Sequence, residues 1–477
     1  MSGTQLAPLR WRPWPHQWRA VLRAPVTVAL APLAWALAAV NTAVRRPSLA
    51  VGATVLLVCL PSDVQDVSTS GHITAADVAA GAMIVLVAIR LCTGDRVATR
   101  RGWLPYAAAV TSFAIATITA TDVGASARGF VRYTELFVLV PVAAALAIRD
   151  RRDVFVVAGA IVTTTAFEGA VGVYQALTGT GASYAGRYVR AVGTFGAEQV
   201  LAMGALIGYG LLVTLALGLA VRGRARVALL ALSGLLTVPL ALSLSRGAWI
   251  ATACAVFVML VVFSRRIAVA VAGTAVVVVV VVLSLGGGAS GPAFGERLTS
   301  IVSSGSEPDR SVRDRYALWA TAVDMWADHP VFGVGMKDFV EYRDSYAPMG
   351  LSAGSDVDDP RAGYRREPLL SAHNQYLMVL SEQGTVGILA FGGLLATLTV
   401  GAVRRRRREA DADAGPTGGL TRFFDLAAPG LMMWTLIDFT YGDVGAGPTG
   451  VLLGILLGIV ARRAVIIPAA GRAQSWP

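Results

Sequence analysis

Apolar runs of roughly 18 residues, the length a helix needs to cross a bilayer, recur along most of the chain. They predict twelve spans, near 49–60, 74–92, 103–120, 133–148, 154–178, 193–221, 227–243, 247–263, 267–285, 383–402, 422–441 and 449–461. The connections between them alternate in character. One set is rich in arginine: Arg45–Arg46, Arg96 to Arg101, Arg149 to Arg152, Arg222 to Arg226, Arg265–Arg266, Arg404 to Arg408 and Arg462–Arg463. The other set, 61–73, 121–132, 179–192, 244–246, 286–372 and 442–448, is poorer in basic residues. Cationic loops stay on the cytoplasmic side, so the alternation orients every span and leaves both termini in the cytoplasm. Segment 26–44 is apolar but has basic flanks on both sides, and it reads as a re-entrant or interfacial helix.

The pattern divides the chain into 1–285 with about nine spans, 286–372 as a large external loop, and 373–477 with about three spans. The loop holds nine basic and thirteen acidic residues, a balance that fits the outer side. Within it, Val312, Tyr316, Trp319, Val323 and Trp326 recur at helical spacing and predict an amphipathic helix from Ser311 to Asp328. Ser311 and Asp314 read as its capping box. Trp319 and Trp326, two turns apart, read as a face lying at the membrane interface. Pro330 ends the helix, and Gly333 and Gly335 permit a tight turn. Asp356, Asp358 and Asp359 lie in a Gly/Ser-rich stretch that reads as a flexible loop.

Composition excludes a soluble enzyme: 55% of the 477 residues are apolar and 15% charged. The net charge of +11 follows from the basic cytoplasmic loops and does not call for nucleic acid. Lys337 is the only lysine beside forty arginines, a bias that fits a GC-rich genome. Cys59, Cys92 and Cys254 sit inside apolar runs and form no disulfide framework or metal spacing. The first 24 residues are basic and Trp-rich, unlike a cleavable signal. No nucleotide loop, nucleophile elbow or H-E-x-x-H occurs, so neither a cofactor nor a metal is expected.

His373, in Ser-Ala-His373-Asn374-Gln-Tyr376, lies where the external loop re-enters the membrane. It reads either as a base for a hydroxyl or as a helix-start residue. Arg187, Arg190, Arg246, Arg313 and Arg315 face outward, where arginine is normally scarce. They fit phosphate binding through paired planar donors, or headgroup contact. Arg246 sits in a hairpin of about three residues, Ser245-Arg246-Gly247. Glu168 lies deep in a predicted span, as a structural hydrogen-bonding group or a cavity-lining one. Glu382 reads as an orienting partner or as a cap on the helix starting at His373.

Several of these stretches resemble the O-antigen ligase and polysaccharide polymerase superfamily of membrane glycosyltransferases. His373-Asn374-x9-Gly384-x-x-Gly387 resembles the family's H-N-x9-G-x-x-G signature. Arg190-x-x-Gly193-Thr-Phe-Gly196 and Ser245-Arg246-Gly247 resemble its R-x-x-G-T-F-G and S-R-G elements. Arg315-x3-Trp319 and His329-Pro330-x-Phe332-Gly333-x-Gly335 are similar to two more. The resemblance implies an all-α, GT-C-like membrane fold of about twelve helices. It implies a metal-independent transfer of a glycan from a polyprenyl diphosphate to a sugar hydroxyl on a glycan or glycolipid acceptor. The reaction would take place at the outer face of a bacterial cytoplasmic membrane. His373 would be the base, and Arg190, Arg246 and Arg315 would hold the diphosphate. Arg187, Arg313, Glu168, Asn374, Tyr376 and Glu382 would support them. The competing reading is a twelve-span transporter or flippase of lipid-linked sugars, which predicts repeated halves with midplane charges. No such repeat is evident.

Overall fold

The computed structural model describes residues 41–60, 73–93, 102–184, 189–196, 200–284, 310–348, 351, 354–359, 363–410, 418–444 and 449–465. Most of segment 26–44 and Arg187 lie outside them.

The protein is mostly helical. In chain order the helices are α1 (Ser48–Leu57), α2 (Ala75–Cys92), α3 (Leu104–Ile118), α4 (Val123–Ala147), α5 (Arg151–Thr178), α6 (Val200–Ala220), α7 (Arg224–Leu242), α8 (Arg246–Phe263), α9 (Arg265–Ser284), α10 (Arg310–Asp328), α11 (Phe339–Tyr346), α12 (Gln375–Ala410), α13 (Gly418–Asp438) and α14 (Thr449–Ala464). Among the described residues, seven helices are long and apolar enough to cross a membrane: α2, α4, α5, α6 from Leu201, α7, α8 and α12 to Val403. Two more, α1 and α3, are apolar but shorter.

Several expectations are corrected. The stretch 121–132, read as an outer connection, is mostly helix, because Asp122 caps α4 by accepting from the Ala125 N–H at 2.9 Å. The helix then continues through a π-helical turn at Glu135–Leu139. The region read as external is not all-α. Strands β1 (Ala182–Tyr184), β2 (Val189–Arg190), β3 (Gly354–Asp359) and β4 (Gly363–Pro368) form an antiparallel sheet in the order β2-β1-β3-β4. The sheet bonds the short loop carrying Arg190 to the large loop. Asp356, Asp358 and Asp359 lie on β3, not in an irregular loop. Helix α10 is already running at Arg310, one residue before the expected cap at Ser311.

The Trp319–Trp326 face does not lie free at an interface. Trp319 donates its indole N–H to the Ala372 carbonyl at 3.0 Å, and Trp326 donates to Thr385 Oγ1 at 3.2 Å. Leu318, Ala322 and Met325 are buried beside them, packed with Val334, Phe339, Leu369, Ala372 and Met378. This cluster fastens the 310–346 segment to the start of α12. The main core lies within the bundle, where Trp434 of α13 stacks against Tyr209 of α6 at 4.0 Å and donates to Thr252 Oγ1 of α8.

Two of the stretches singled out in the sequence lock onto each other. At Gly384 the backbone of α12 leaves helical geometry, with φ 64° and ψ −161°. The break frees the carbonyls of Ser381 and Glu382, which accept from the N–H groups of Val334 and Gly335 at 2.9 and 3.1 Å. In return, the Thr385 and Val386 N–H groups donate to Pro330 and Val331. A Cβ at Gly384 would lie 2.4 Å from the Val331 oxygen, and one at Gly333 2.4 Å from the Glu382 carbonyl carbon. Only glycine fits either position, because each also needs a left-handed φ. The G-x-x-G spacing is therefore in part the geometry of a broken helix, with its freed polar groups satisfied by a loop.

Candidate active site

His373 stands just ahead of α12 with φ 46°, one of three non-glycine residues with positive φ among the described residues; Leu244 and Lys337 are the others. Such a backbone costs on the order of 1–3 kcal/mol and persists only where its surroundings over-determine it. Here they do. Trp319 holds the Ala372 carbonyl, and Asn374 Oδ1 accepts from the N–H groups of Tyr376 and Leu377 at 3.0 and 3.1 Å. The Gln375 N–H donates to the carbonyls of Phe439 and Gly442. Asn374 is thus the cap of α12, and Tyr376 anchors it by donating to the Leu436 carbonyl at 2.8 Å.

The imidazole faces charge of both signs. Nδ1 lies 4.0 Å from Asp443 Oδ1, with the two side chains 32% and 21% exposed. Arg315, one helical turn before Trp319, also acts electrostatically on His373. Burial holds the imidazole below the ordinary histidine range; Arg315 pulls the same way and Asp443 opposes. Burial and Arg315 thus favour the neutral imidazole, the form a proton acceptor requires.

Arg190 ends β2 and enters a turn fixed from α5. Glu168 Oε2 accepts from the Thr194 N–H at 2.9 Å, and Oε1 from the Thr194 hydroxyl at 2.6 Å. Gln175 accepts from the N–H groups of Val192 and Gly193 and donates to the Gly193 carbonyl. Glu168, left open between two readings by the sequence, is a clamp on this turn. Gly193 has φ +65°, and a Cβ there would lie 2.1 Å from Glu168 Oε2.

The Ser245-Arg246-Gly247 hairpin has a left-handed Leu244 at φ 49°, and Ser245 caps α8. The hairpin touches the Arg190 turn, because the Ala191 N–H donates to the Leu242 carbonyl at 3.1 Å. It touches the His373 region as well: Gly247 lies against the Tyr441 ring, two residues before Asp443. The segments carrying Arg190, Arg246, His373 and Arg315 are thus linked in sequence order of contact. Arg313 is exposed on α10. Glu382 does not cap the helix at His373; it is buried in α12 just ahead of the break.

The sequence reading missed Asp443 and Asp438, which interact electrostatically with each other and, at Asp438, with Arg315. The available signal was an ionisable pair, Asp438 and Asp443, at the outer mouth of two apolar segments. Among the described residues, no group of three or more His, Cys, Asp or Glu side chains is arranged to hold a metal.

Residues 231–392 match the O-antigen ligase family. Over that segment, about a third of its length, the chain is similar to the O-antigen ligase-like superfamily. The matched segment encloses Arg246, Arg313, Arg315, His373, Asn374, Tyr376 and Glu382, and leaves Glu168, Arg190 and Asp443 outside it. No curated protein matches. A chain from the solved structure "Structural coordination of polymerization and crosslinking by a peptidoglycan synthase complex" is 18% identical, with a TM-score of 0.41. The alignment covers 76% of this chain and 97% of that one, a likeness too low to carry an argument.

Proposed function

We propose that this O-antigen ligase-like membrane protein transfers a glycan from a polyprenyl diphosphate to a sugar hydroxyl at the outer face of the cytoplasmic membrane. The observation that carries the reading is the pairing of a strained, neutral His373 with Asp443 on one side and Arg315 on the other. With Nδ1 turned to the carboxylate, Nε2 is the nitrogen left to take a proton. In the reaction, Nε2 accepts the hydroxyl proton while the acceptor oxygen attacks the anomeric carbon. The bond from that carbon to the diphosphate oxygen breaks, and the diphosphate departs with the electron pair. Asp443 stabilises the imidazolium as it forms. Arg190, Arg246 and Arg315 offset the charge growing on the leaving diphosphate, with the exposed Arg313 at the rim. Glu168 and Asn374 act by holding the segments that carry these groups. The reaction uses the diphosphate bond as its own driving force and draws on no nucleotide or metal.

In the same reading the chain makes twelve crossings, with 286–372 outside and both termini in the cytoplasm. The donor lipid enters from the membrane and the acceptor from the outer side. The test is turnover of purified His373→Ala on a synthetic polyprenyl-diphosphate glycan. Transfer should fall at least about a hundredfold while the donor is still bound. Activity within about twofold of wild type would remove His373 from the chemistry.

A further inference from the structure

Lys337 is the only lysine in a chain with forty arginines, and among the described residues it is one of three non-glycine residues with positive φ, at 67°. The other two are His373 itself and Leu244, two residues before Arg246. Both neighbours of Lys337 are pinned to the α3–α4 corner. The Met336 N–H donates to the Ala116 carbonyl, its carbonyl accepts from Ser126 Oγ, and Asp338 Oδ2 accepts from the Thr121 N–H at 2.5 Å. The side chain is thereby directed inward. Its stem lies on the backbone of α4 at Gly129, where an added Cβ would stand 2.7 Å from Lys337 Cγ. The ammonium ends 5.8 Å from the centre of the Tyr133 ring, within cation–π range.

Beside it is Glu382, 1% exposed. Neither of its oxygens has a well-formed hydrogen bond among the described residues. The groups that face it are the Lys337 ammonium, the backbone amides of Lys337 and Phe339, the Tyr133 hydroxyl and the carboxylate of Asp443. A buried carboxylate in such surroundings needs a cation. Lys337 forms no direct ion pair with it, but the loop that carries Lys337 is tied to the Glu382 carbonyl through the Gly335 N–H at 3.1 Å, and the ammonium acts on the carboxylate across the remaining gap. Tyr133 extends the link toward the site. Its hydroxyl accepts from Gln375 Nε2 at 3.0 Å, and Gln375 Oε1 accepts from the Val444 N–H at 2.8 Å. Gln375 is two residues from His373, and Val444 is next to Asp443.

We propose that Lys337 is a positioning residue: it is the counter-ion of Glu382, and together with Tyr133 and Gln375 the pair holds His373 and Asp443 in register from below. The proposal rests on the reading of His373 as the proton acceptor. It explains why one position departs from arginine: a slim stem is needed to pass over Gly129, and a compact ammonium fits where a planar guanidinium does not.

The experiment compares Lys337→Met, Glu382→Gln and the double variant, full-length in lipid nanodiscs. The unfolding midpoint is followed without substrate from about pH 6 to about pH 9, and turnover is measured in parallel. With the ammonium gone, Glu382 is tolerated only while it keeps its proton, so the midpoint and turnover of Lys337→Met should fall as pH rises. Glu382→Gln leaves an unpaired cation, so its midpoint should slope the opposite way. The double variant should follow the wild-type profile and regain at least about tenfold in kcat over Lys337→Met, with the donor KM unchanged. A Lys337→Met profile parallel to wild type, or no recovery in the double variant, overturns the proposal. If Lys337→Met is not recovered folded, the slope of Glu382→Gln decides alone, and a wild-type slope there overturns it equally. The midpoints require no role for His373. Retained turnover in His373→Ala therefore sinks the base reading while leaving the charge pairing to stand or fall by itself.

Discussion

The charges flanking His373 make opposite, separately measurable demands. Asp443 favours the protonated imidazole and Arg315 disfavours it, while burial favours the neutral form. At the observed 4.0 Å, the Coulomb energy of a full pair is roughly 1 kcal/mol in water and roughly 4 kcal/mol at the effective dielectric of a protein surface. Both side chains keep contact with solvent, at 32% and 21% exposure, so the lower end applies, and about 1.4 kcal/mol corresponds to one pH unit. Asp443→Asn should therefore lower the His373 titration midpoint by about one unit, and Arg315→Met should raise it toward the ordinary value. The chain has only four histidines. Ring-labelled histidine in the full-length protein, with His373→Asn to assign the resonance, reports both shifts by NMR without substrate. The same displacement should appear in the acid limb of turnover for Asp443→Asn, since a proton acceptor works only when neutral. Its activity at low pH should then extend downward, even if the rate at neutral pH falls because the imidazolium has lost its partner. Shifts of the same sign in the two variants, or no shift in either, would refute this account of the site's electrostatics.

Three further outcomes are expected. Arg246→Lys should lose on the order of a hundredfold in transfer rate, because an ammonium lacks the planar fork; near-normal turnover would take Arg246 out of the diphosphate site. Gly193→Ala should destabilise the Arg190 turn by about 1–3 kcal/mol and reduce transfer, read from unfolding and turnover together; a neutral effect on both would contradict the Glu168 clamp. In a background without Cys59, Cys92 and Cys254, single cysteines at 350–360 should react with an impermeant thiol reagent on intact cells and those at 409–414 should not. The reverse pattern would invert the topology.

Hydropathy made the succession of helices legible because burial in lipid is written into long local runs, and each of the twelve expected spans contains helix. Its boundaries were less legible. Polar residues hide the start of α4, because Asp122 can begin a helix outside the apolar stretch it leads into. The sheet escaped notice because β1 and β2 have three and two residues, too short for any alternation to register, and β3, which β1 joins to them, is about 170 residues away in the chain. The two tryptophans of α10 were placed on one face correctly by period, but periodicity does not say what covers a face. Their indole N–H groups find Ala372 and Thr385 instead of an interface.

The candidate site shows the same division between what local pattern carries and what it does not. Arg190, Arg246 and Arg315 stood out because arginine is scarce in connections of the kind read as outer, and His373 because the chain has only four histidines. Asp443 and Lys337 did not, because their importance lies in whom they face. Gly333 was read as permitting a tight turn and Gly384 only as part of a motif, and their geometry gives the two a joint duty. Gly333 and Gly384 allow a loop and a broken helix to exchange backbone hydrogen bonds, and that exchange fixes α12 eleven residues beyond His373. Motif spacing here therefore constrains two things at once. The histidine end concerns the reacting proton, and the glycine end concerns the angle at which the helix behind it is held. A substitution at either end should remove activity, but only the glycine end should also release the 329–346 loop from α12. That separates the two duties: protease sensitivity of 329–346 should rise in Gly384→Ala and stay at the wild-type level in His373→Ala.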